Sequence, residues 1–531
     1  MRRTRLLSGI LCAVLMAGAG AEPADGEEEK EAQEKVLRYV NYYPVAFDEL
    51  NPANLKENTE YTIGYHVLEG LMRIHQYQLQ YGMADGYEIS MDGCTYTFYI
   101  REDAGYSDGT PVKAEDFRRA FLRSVEENPD SEYVRLLLNA EEIINGKLPL
   151  EMLGVEALDD RTLVIRLEHS DSRFLEYLSL PEFAPRREDA GEYLGAQDCN
   201  GPFYLEENEG KLFCRMEKNP YYWDRDQIAL DAIESVYYAG TTEACQAFAE
   251  GKADVVPLAS QEDAEGYPGN ARREMTGTCD NIYFDLETDG PLQCAFLRLA
   301  LNYGLDREEY GASLGNGLIE PNARCVPAIG AGACQEYVDL YGGGLFPMKG
   351  DQRVAKANMR QALETLGLDA PEEIVLPFYV HNDYWSKKEA ALVAEQWEKK
   401  LGIQINLIDT EGDEIADVLE GSGGIILYSS GEAFANPEEY LKRWNYDYLP
   451  EEANDSSDQF QNYISQAEAQ SDEQIRMSIL YEAEKVLLQD APFVPLQLRY
   501  EMLLVNPNLT GFEISADFSG GPYDFIYADF N

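Results

Sequence analysis

Histidine is nearly missing from this chain: His66, His75, His169 and His381 are the only four in 531 residues. No C-x-x-C pair and no H-E-x-x-H occurs, so the ligand sets of structural and catalytic zinc are lacking. Basic residues are scarce too, 43 Lys and Arg against 97 Asp and Glu, for a formal charge of −54. Nucleic acid is excluded as a partner, because a field of that sign repels phosphate backbones. The acid reads instead as a solubility device spread over the surface of a globular protein. After the first twenty or so positions no apolar run is long enough to cross a bilayer. What is present is a globular composition, 45% hydrophobic and 11% aromatic, on a chain long enough for several domains.

The start reads Met1-Arg2-Arg3-Thr4-Arg5, an apolar run from Leu6 to Met16, then small residues to Ala21. Residues 1–21 are therefore expected to be a secretory signal peptide, and 22–35 a solvated acidic tether. Met16-Ala17-Gly18 resembles the run-in to a lipoprotein cysteine, yet Ala19 stands at the cysteine position and bulky Leu11 precedes Cys12. Eight cysteines follow the leader: Cys94, Cys199, Cys214, Cys245, Cys279, Cys294, Cys325 and Cys334. An even number in an exported chain permits disulfides, and Cys325 with Cys334, flanked by Pro327, Gly330 and Gly332, is the pair expected to bond.

Periodicity gives alternating helices and strands. Val36 to Pro44 is a Tyr-rich strand, Thr95 to Ile100 and Thr162 to Leu167 alternate with the period of half-buried strands, and Phe203–Leu205 with Leu212–Met216 forms a hairpin. Phe117, Ala120, Phe121 and Val125 share one face of a helix. Ser386 to Glu389 has the spacing of a capping box, opening a helix with Ala390, Val393, Ala394, Trp397 and Leu401 on one stripe and Gly402 at its end, before a strand at Ile403–Leu407. Alternation without a fixed repeat indicates an α/β architecture in several lobes.

Several phrases resemble the extracellular oligopeptide- and dipeptide-binding proteins that feed ABC importers, the solute-binding proteins of family 5. The longest runs from Tyr106-Ser107-Asp108-Gly109-Thr110-Pro111 through Val112-Lys113-Ala114-Glu115-Asp116-Phe117. In family order there follow Leu153 to Leu163, Asn200-Gly201-Pro202-Phe203, Lys218 to Asp224, Phe248 to Val255, Leu297 to Arg307, and Ala491-Pro492-Phe493-Val494-Pro495. The turn-rich phrases themselves build the fold rather than the site. The resemblance implies a type II periplasmic-binding-protein fold of the large, three-domain form, with a hinge and a ligand cleft between two lobes. Lobe one would comprise 36–66, 195–283 and 492–531, with an inserted domain at 67–194; lobe two would be 284–491. It also implies a monomer that captures a peptide or peptide-like solute and delivers it to a membrane permease, outside the cytoplasmic membrane, with no cofactor and no catalysis. The same fold serves other solutes, such as a sugar chain, an opine or a metal chelate. A secreted hydrolase is the reading from another class, and it would need a nucleophile with a base, or a metal.

Peptide binders of this family carry a phrase like W-x-A-D-Y-x-x-P, whose Asp pairs with the ligand's amino group. Here the matching stretch is Ser430-Gly431-Glu432-Ala433-Phe434-Ala435-Asn436-Pro437, with Ala433 at the Asp position. Either Glu432 supplies the charge through a shifted loop, or the ligand has no free α-amine. On the second alternative it is held by Phe434, Tyr283, Asn281, Tyr133 and Tyr65, beside His66, through stacking and hydrogen bonds.

Overall fold

The computed structural model describes residues 34–531, except 44, 46–48, 56–57, 207–211, 268, 316, 331, 343, 345, 411–417, 420, 431–433, 445–453, 471 and 515–522. The signal and most of the tether thus lie outside the described residues. Lys35, the tether's last position, is already tied down: its backbone N–H donates to Asp231 at 2.8 Å.

The first seventeen strands in chain order are β1 (Val36–Asn41), β2 (Met72–His75), β3 (Gln78–Tyr81), β4 (Ala84–Ile89), β5 (Thr95–Ile100), β6 (Val155–Ala157), β7 (Thr162–Arg166), β8 (Phe203–Leu205), β9 (Phe213–Lys218), β10 (Ala232–Tyr237), β11 (Val255–Leu258), β12 (Ala271–Phe284), β13 (Ile319–Pro321), β14 (Val375–His381), β15 (Gln404–Thr410), β16 (Ile425–Ser430) and β17 (Phe493–Val505). One large sheet has the order β15-β14-β16-β12-β17-β11-β1-β10-β9-β8, with β13 also on β17. A separate sheet, β4-β5-β7-β6, is built wholly from residues 84–166.

The alternation seen in the sequence has a simple cause. On β5, Tyr96, Phe98 and Ile100 are buried, and the helix Ala114–Glu127 lies over this sheet with Phe117, Ala120, Phe121 and Val125 all buried. That helix starts where it does because the Asp116 carboxylate accepts from the Lys113 N–H at 2.9 Å, which satisfies one of the otherwise orphaned backbone groups. Each buried aromatic contributes about 1.5–3 kcal/mol relative to exposure.

Two expectations change. The helix expected from Ser386 runs Tyr384–Leu401, capped by Asp383, whose carboxylate accepts from the Ser386 N–H at 3.0 Å. Glu389 does not close a capping box; it is buried and faces Arg499, Oε2 to Nη2 3.5 Å. The Cys325 thiol is unbonded and donates to the Tyr440 carbonyl at 3.3 Å, so the expected Cys325–Cys334 disulfide is not formed. Burial among apolar side chains keeps that thiol protonated, well above the usual range.

The long antiparallel strands β12 and β17 organise the molecule. At one end they are flanked by β11, with Val255 to Leu258 opposite Val505 to Met502, and at the other by β16, with Cys279 to Phe284 opposite Ser430 to Ile425. Between these ends the β12–β17 register breaks from Met275 to Cys279. Gly277 sits at the break with φ +72°, a conformation that disfavours any Cβ. Its carbonyl accepts from the Tyr440 hydroxyl at 2.8 Å. Apolar cores gather separately on the two sides of the break: one around Leu37, Phe98, Phe117 and Phe203, another around Ile282, Leu297, Phe378 and Trp397, and a third of helices around Tyr337, Phe460 and Leu487. No helix among the described residues is long and apolar enough to cross a membrane.

Candidate functional site

The residues singled out from sequence fall into two groups. Tyr65 and His66 lie on the helix Asn58–Val67, and Tyr133 on the short helix Glu132–Arg135. Phe434 precedes the helix Pro437–Lys442 and is buried under the other two segments' neighbours. Tyr133 and Phe434 meet edge to face at 6.1 Å, and both pack on Tyr177, at 4.7 and 5.5 Å. Asn281 and Tyr283 lie instead on β12, on the face opposite the core residues Ile282 and Phe284. Tyr283 stacks on Trp444 at 5.0 Å and meets Tyr428 edge-on at 6.0 Å. The Asn281 Oδ1 is buried with no hydrogen-bond partner among the described residues, which leaves an acceptor open to a donor from outside the chain. Glu432 and Ala433 lie outside the described residues.

His66 has a different place from the one its neighbours suggest. Its Nδ1 is 2.6 Å from the Thr62 carbonyl, and its Nε2 accepts from the Phe525 N–H at 3.0 Å. Both ring nitrogens are spoken for by backbone, so the ring is a neutral pin between this helix and the C-terminal segment. Burial lowers its pKa accordingly.

Around Tyr65 and Tyr133 the chain leaves cavities. One, of roughly 330 Å3, is lined by Leu55, Tyr61, Tyr65, Asn128, Tyr133 and Glu182 among others. A second, of roughly 250 Å3, shares Glu132 and Tyr133 with it and is bounded by Asp171, Tyr177, Lys442 and Glu468. A narrow slot of roughly 60 Å3 joins Tyr65 and His66 to a polar network. There Glu69 accepts from the Tyr222 hydroxyl at 2.7 Å and the Trp223 Nε1 at 2.6 Å, and Arg73 lies over the Trp223 ring at 5.0 Å.

The most heavily charged part of this region was invisible to sequence reading. Arg173, fully withdrawn from solvent, pairs with Glu439 and with Glu176, the latter at 3.2 Å, and lies 5.1 and 5.7 Å over the Tyr177 and Phe434 rings. Burial opposes the Arg173 charge, and the adjoining Glu439 more than restores it, so the guanidinium stays ionised. Beside it, Arg476 Nη1 donates to the Ser172 hydroxyl at 2.8 Å, and Lys442 lies 2.8 and 2.9 Å from Glu438 and Glu468. These contacts tie residues 171–177 to the helices after Phe434, across the two sides of the β12 break.

Gly311-Ala312-Ser313-Leu314-Gly315 has the spacing G-x-S-x-G, yet Ser313 lies within the helix Arg307–Leu314 and not on a strand-to-helix elbow. Among the described residues no group of three His, Cys, Asp or Glu is placed to hold a metal ion.

A sheet crossed by two long strands, with separate apolar cores on either side and a cavity shared by residues 132–177 and 442–468, is the architecture of a two-lobed α/β solute-binding protein. The profile of the bacterial extracellular solute-binding proteins, family 5 Middle, matches residues 78–449, and the chain belongs to that family. It is 26% identical over 520 residues to the oligopeptide-binding protein OppA of Bacillus subtilis (strain 168), covering 93% of each chain. It is also 26% identical over 517 residues to the probable deoxycholate-binding periplasmic protein YgiS of Escherichia coli (strain K12), covering 94% of this chain and 93% of that one. The substrate-binding domain of an oligopeptide ABC transporter from Bacillus anthracis str. Ames superposes with a TM-score of 0.71 at 24% identity, over 94% of this chain and 99% of that one.

Proposed function

We propose that this chain captures peptides or peptide-like solutes between its two lobes and hands them to the permease of an ABC importer, as a monomeric, non-catalytic subunit on the outer side of the cytoplasmic membrane. The observation that carries the reading is the break in β12 at Gly277, with distinct cores on either side and a cavity of roughly 250 Å3 lined jointly by Tyr133, Asp171 and Tyr177 of the proposed insert and Lys442, Phe460 and Glu468 of the proposed lobe two. A hinge at that break lets the lobes close on a ligand, and closure excludes water and strengthens each hydrogen bond made to it. The names of the relatives supply the ligand class, since OppA of B. subtilis is an oligopeptide-binding protein.

On this reading 36–66, 195–283 and 492–531 form lobe one, 67–194 its inserted domain, and 284–491 lobe two. The β4-β5-β7-β6 sheet within 84–166 supports the insert. Tyr65, Tyr133, Phe434, Asn281 and Tyr283 would contact the ligand, with the open Asn281 Oδ1 accepting an N–H. His66 would shape the pocket from behind. With Ala433 in place of the usual carboxylate, the ligand is held without pairing of an α-amine at that position. A non-peptide solute is the second reading, favoured by the same missing carboxylate and by the deoxycholate-binding name of one relative.

Mass spectrometry of ligands released from protein purified out of rich medium tests the choice. Peptides in the released fraction support capture of peptides; sterols or sugars alone overturn it. Small-angle scattering with the recovered ligand should show compaction, and an unchanged radius would count against a closing cleft.

A further inference from the structure

We infer that the cavity of roughly 330 Å3 beside Tyr65 and Tyr133 is a subsite for an organic cation, the ammonium or guanidinium group of the bound ligand. This rests on the solute-capture reading above and adds to it the charge of the solute. Tyr61, Tyr65, Tyr133 and Glu182 all line this one space, which is bounded entirely by residues 52–182. Among the described residues the Glu182 carboxyl accepts from neutral donors alone, Asn128 Nδ2 at 3.4 Å and Ser131 Oγ at 3.3 Å. No Lys, Arg or His lines the cavity among the described residues. Two other withdrawn carboxylates do face a guanidinium, Glu439 facing Arg173 and Glu389 facing Arg499, whereas Glu501, which accepts from the Tyr523 hydroxyl, lines none of the cavities described above.

The chemistry of such a lining is selective. Aromatic faces attract a cation within about 6 Å of the ring centroid, and a carboxylate out of water requires an opposite charge or several donors to remain ionised. An anion would be repelled by Glu182 and by Glu132 and Asp130 at the rim. A neutral apolar group would fill the space while leaving the carboxylate without a counter-charge. Loss of water pushes the Glu182 carboxyl up to about 7 in the empty cavity. After burial and Glu439 and Glu132, the Glu182 charge also helps raise the Tyr133 phenol, and after burial it is the main influence on Tyr61. The carboxyl and both phenols therefore sense one another across the cavity. The ammonium can come from a ligand side chain or from an α-amine, and the test separates the two.

The full chain is titrated calorimetrically at pH 8 with four probes: N-acetylated Ala-Lys-Ala amide, N-acetylated Ala-norleucine-Ala amide, free-amine Ala-norleucine-Ala amide, and n-butylammonium chloride. The lysine peptide should bind at least about tenfold tighter than its norleucine partner, a difference of one charged contact. Glu182→Gln should bring that ratio near one, and Glu182→Asp should keep part of it, both with the wild-type melting temperature. A preference for the free-amine peptide that Glu182→Gln removes assigns the subsite to the α-amine and upholds the inference. Equal binding of lysine and norleucine peptides, with no preference for the free amine, overturns it and leaves peptide capture standing; so does a preference that survives Glu182→Gln. Glu182-dependent binding of butylammonium without binding of any peptide keeps the subsite and overturns peptide capture. Silence from all four probes overturns both.

Discussion

Arg173 and Glu439, 266 positions apart, meet as an ion pair whose side chains are 0% and 5% exposed. The pair joins the segment before the Phe174–Tyr177 helix to the helix Pro437–Lys442, and so bridges the two proposed lobes. Removing one partner of a buried pair leaves the other charge stranded, at a cost of about 3–5 kcal/mol. Arg173→Leu should therefore weaken lobe contact: scattering should give a larger radius, and ligand affinity should fall. A radius and melting temperature equal to wild type would show that the pair contributes nothing to closure.

Much of the local structure was legible because burial follows strand and helix periods directly. The alternation of Tyr96, Phe98 and Ile100 and the stripe Phe117, Ala120, Phe121 and Val125 are the buried sets of β5 and its covering helix. Tyr133 and Phe434 were legible only through family resemblance, and the structure brings their rings together. Arg173–Glu439 had no local signature: a single Arg just before one short helix and a single Glu within another have no period, and only the closed chain path makes them neighbours. Glu389 shows the opposite failure, since a local spacing suggested a cap while tertiary contact with Arg499 claimed the side chain. The break at Gly277 has no signature in composition or period, because a register shift is a relation between β12 and the distant β17 and not a property of either segment alone.

Glu501 on β17 stands opposite Glu274 on β12, and its carboxylate accepts only from the Tyr523 hydroxyl, at 3.0 Å, among the described residues. Burial pushes Glu501 up to about 7. A carboxyl raised in the fold binds its proton more tightly there than in the unfolded chain, so stability is greatest below the unfolded value of about 4.3 and falls as pH rises toward 7. Glu501→Gln removes that penalty. Its melting temperature should exceed wild type at pH 8, with the gain vanishing at pH 4; a gain equal at both values would show that ionisation is not the cause.

His66 gives the reverse dependence. Its pKa is lowered in the fold, so the unfolded chain takes up a proton first, and stability drops as pH falls below about 6.5. Protonation would cost the bond from the Phe525 N–H to Nε2. Heteronuclear NMR should find the His66 ring neutral at pH 6, with Nδ1 protonated. His66→Leu should destabilise by about 1–3 kcal/mol, the cost of a buried unsatisfied N–H. A ring that titrates near 6.5 would contradict the neutral pin.

The hinge itself is tested at Gly277. Two long strands joined over most of their length form a stiff ribbon, and a ribbon bends where its ladder is interrupted. The interruption here lies between Met275 and Cys279, and the Gly277 carbonyl, turned out of the ladder, is held by the Tyr440 hydroxyl at 2.8 Å. Gly277→Ala places a Cβ at φ +72°, which costs about 1–2 kcal/mol and favours any conformer in which that φ relaxes. Tyr440→Phe removes the hydroxyl while leaving the buried ring and backbone. If bending occurs at this break, both variants should shift the balance between extended and compact forms seen by scattering, and should change the ligand dissociation rate more than the depth of binding at saturation. A control at Gly367, a helix-terminal glycine with φ +68° and nothing within 4 Å of its would-be Cβ, carries comparable backbone strain away from the strands. Gly367→Ala should lower the melting temperature without moving the scattering radius. Should Gly277→Ala behave like that control, the strands bend elsewhere and the break at Gly277 is only a local irregularity.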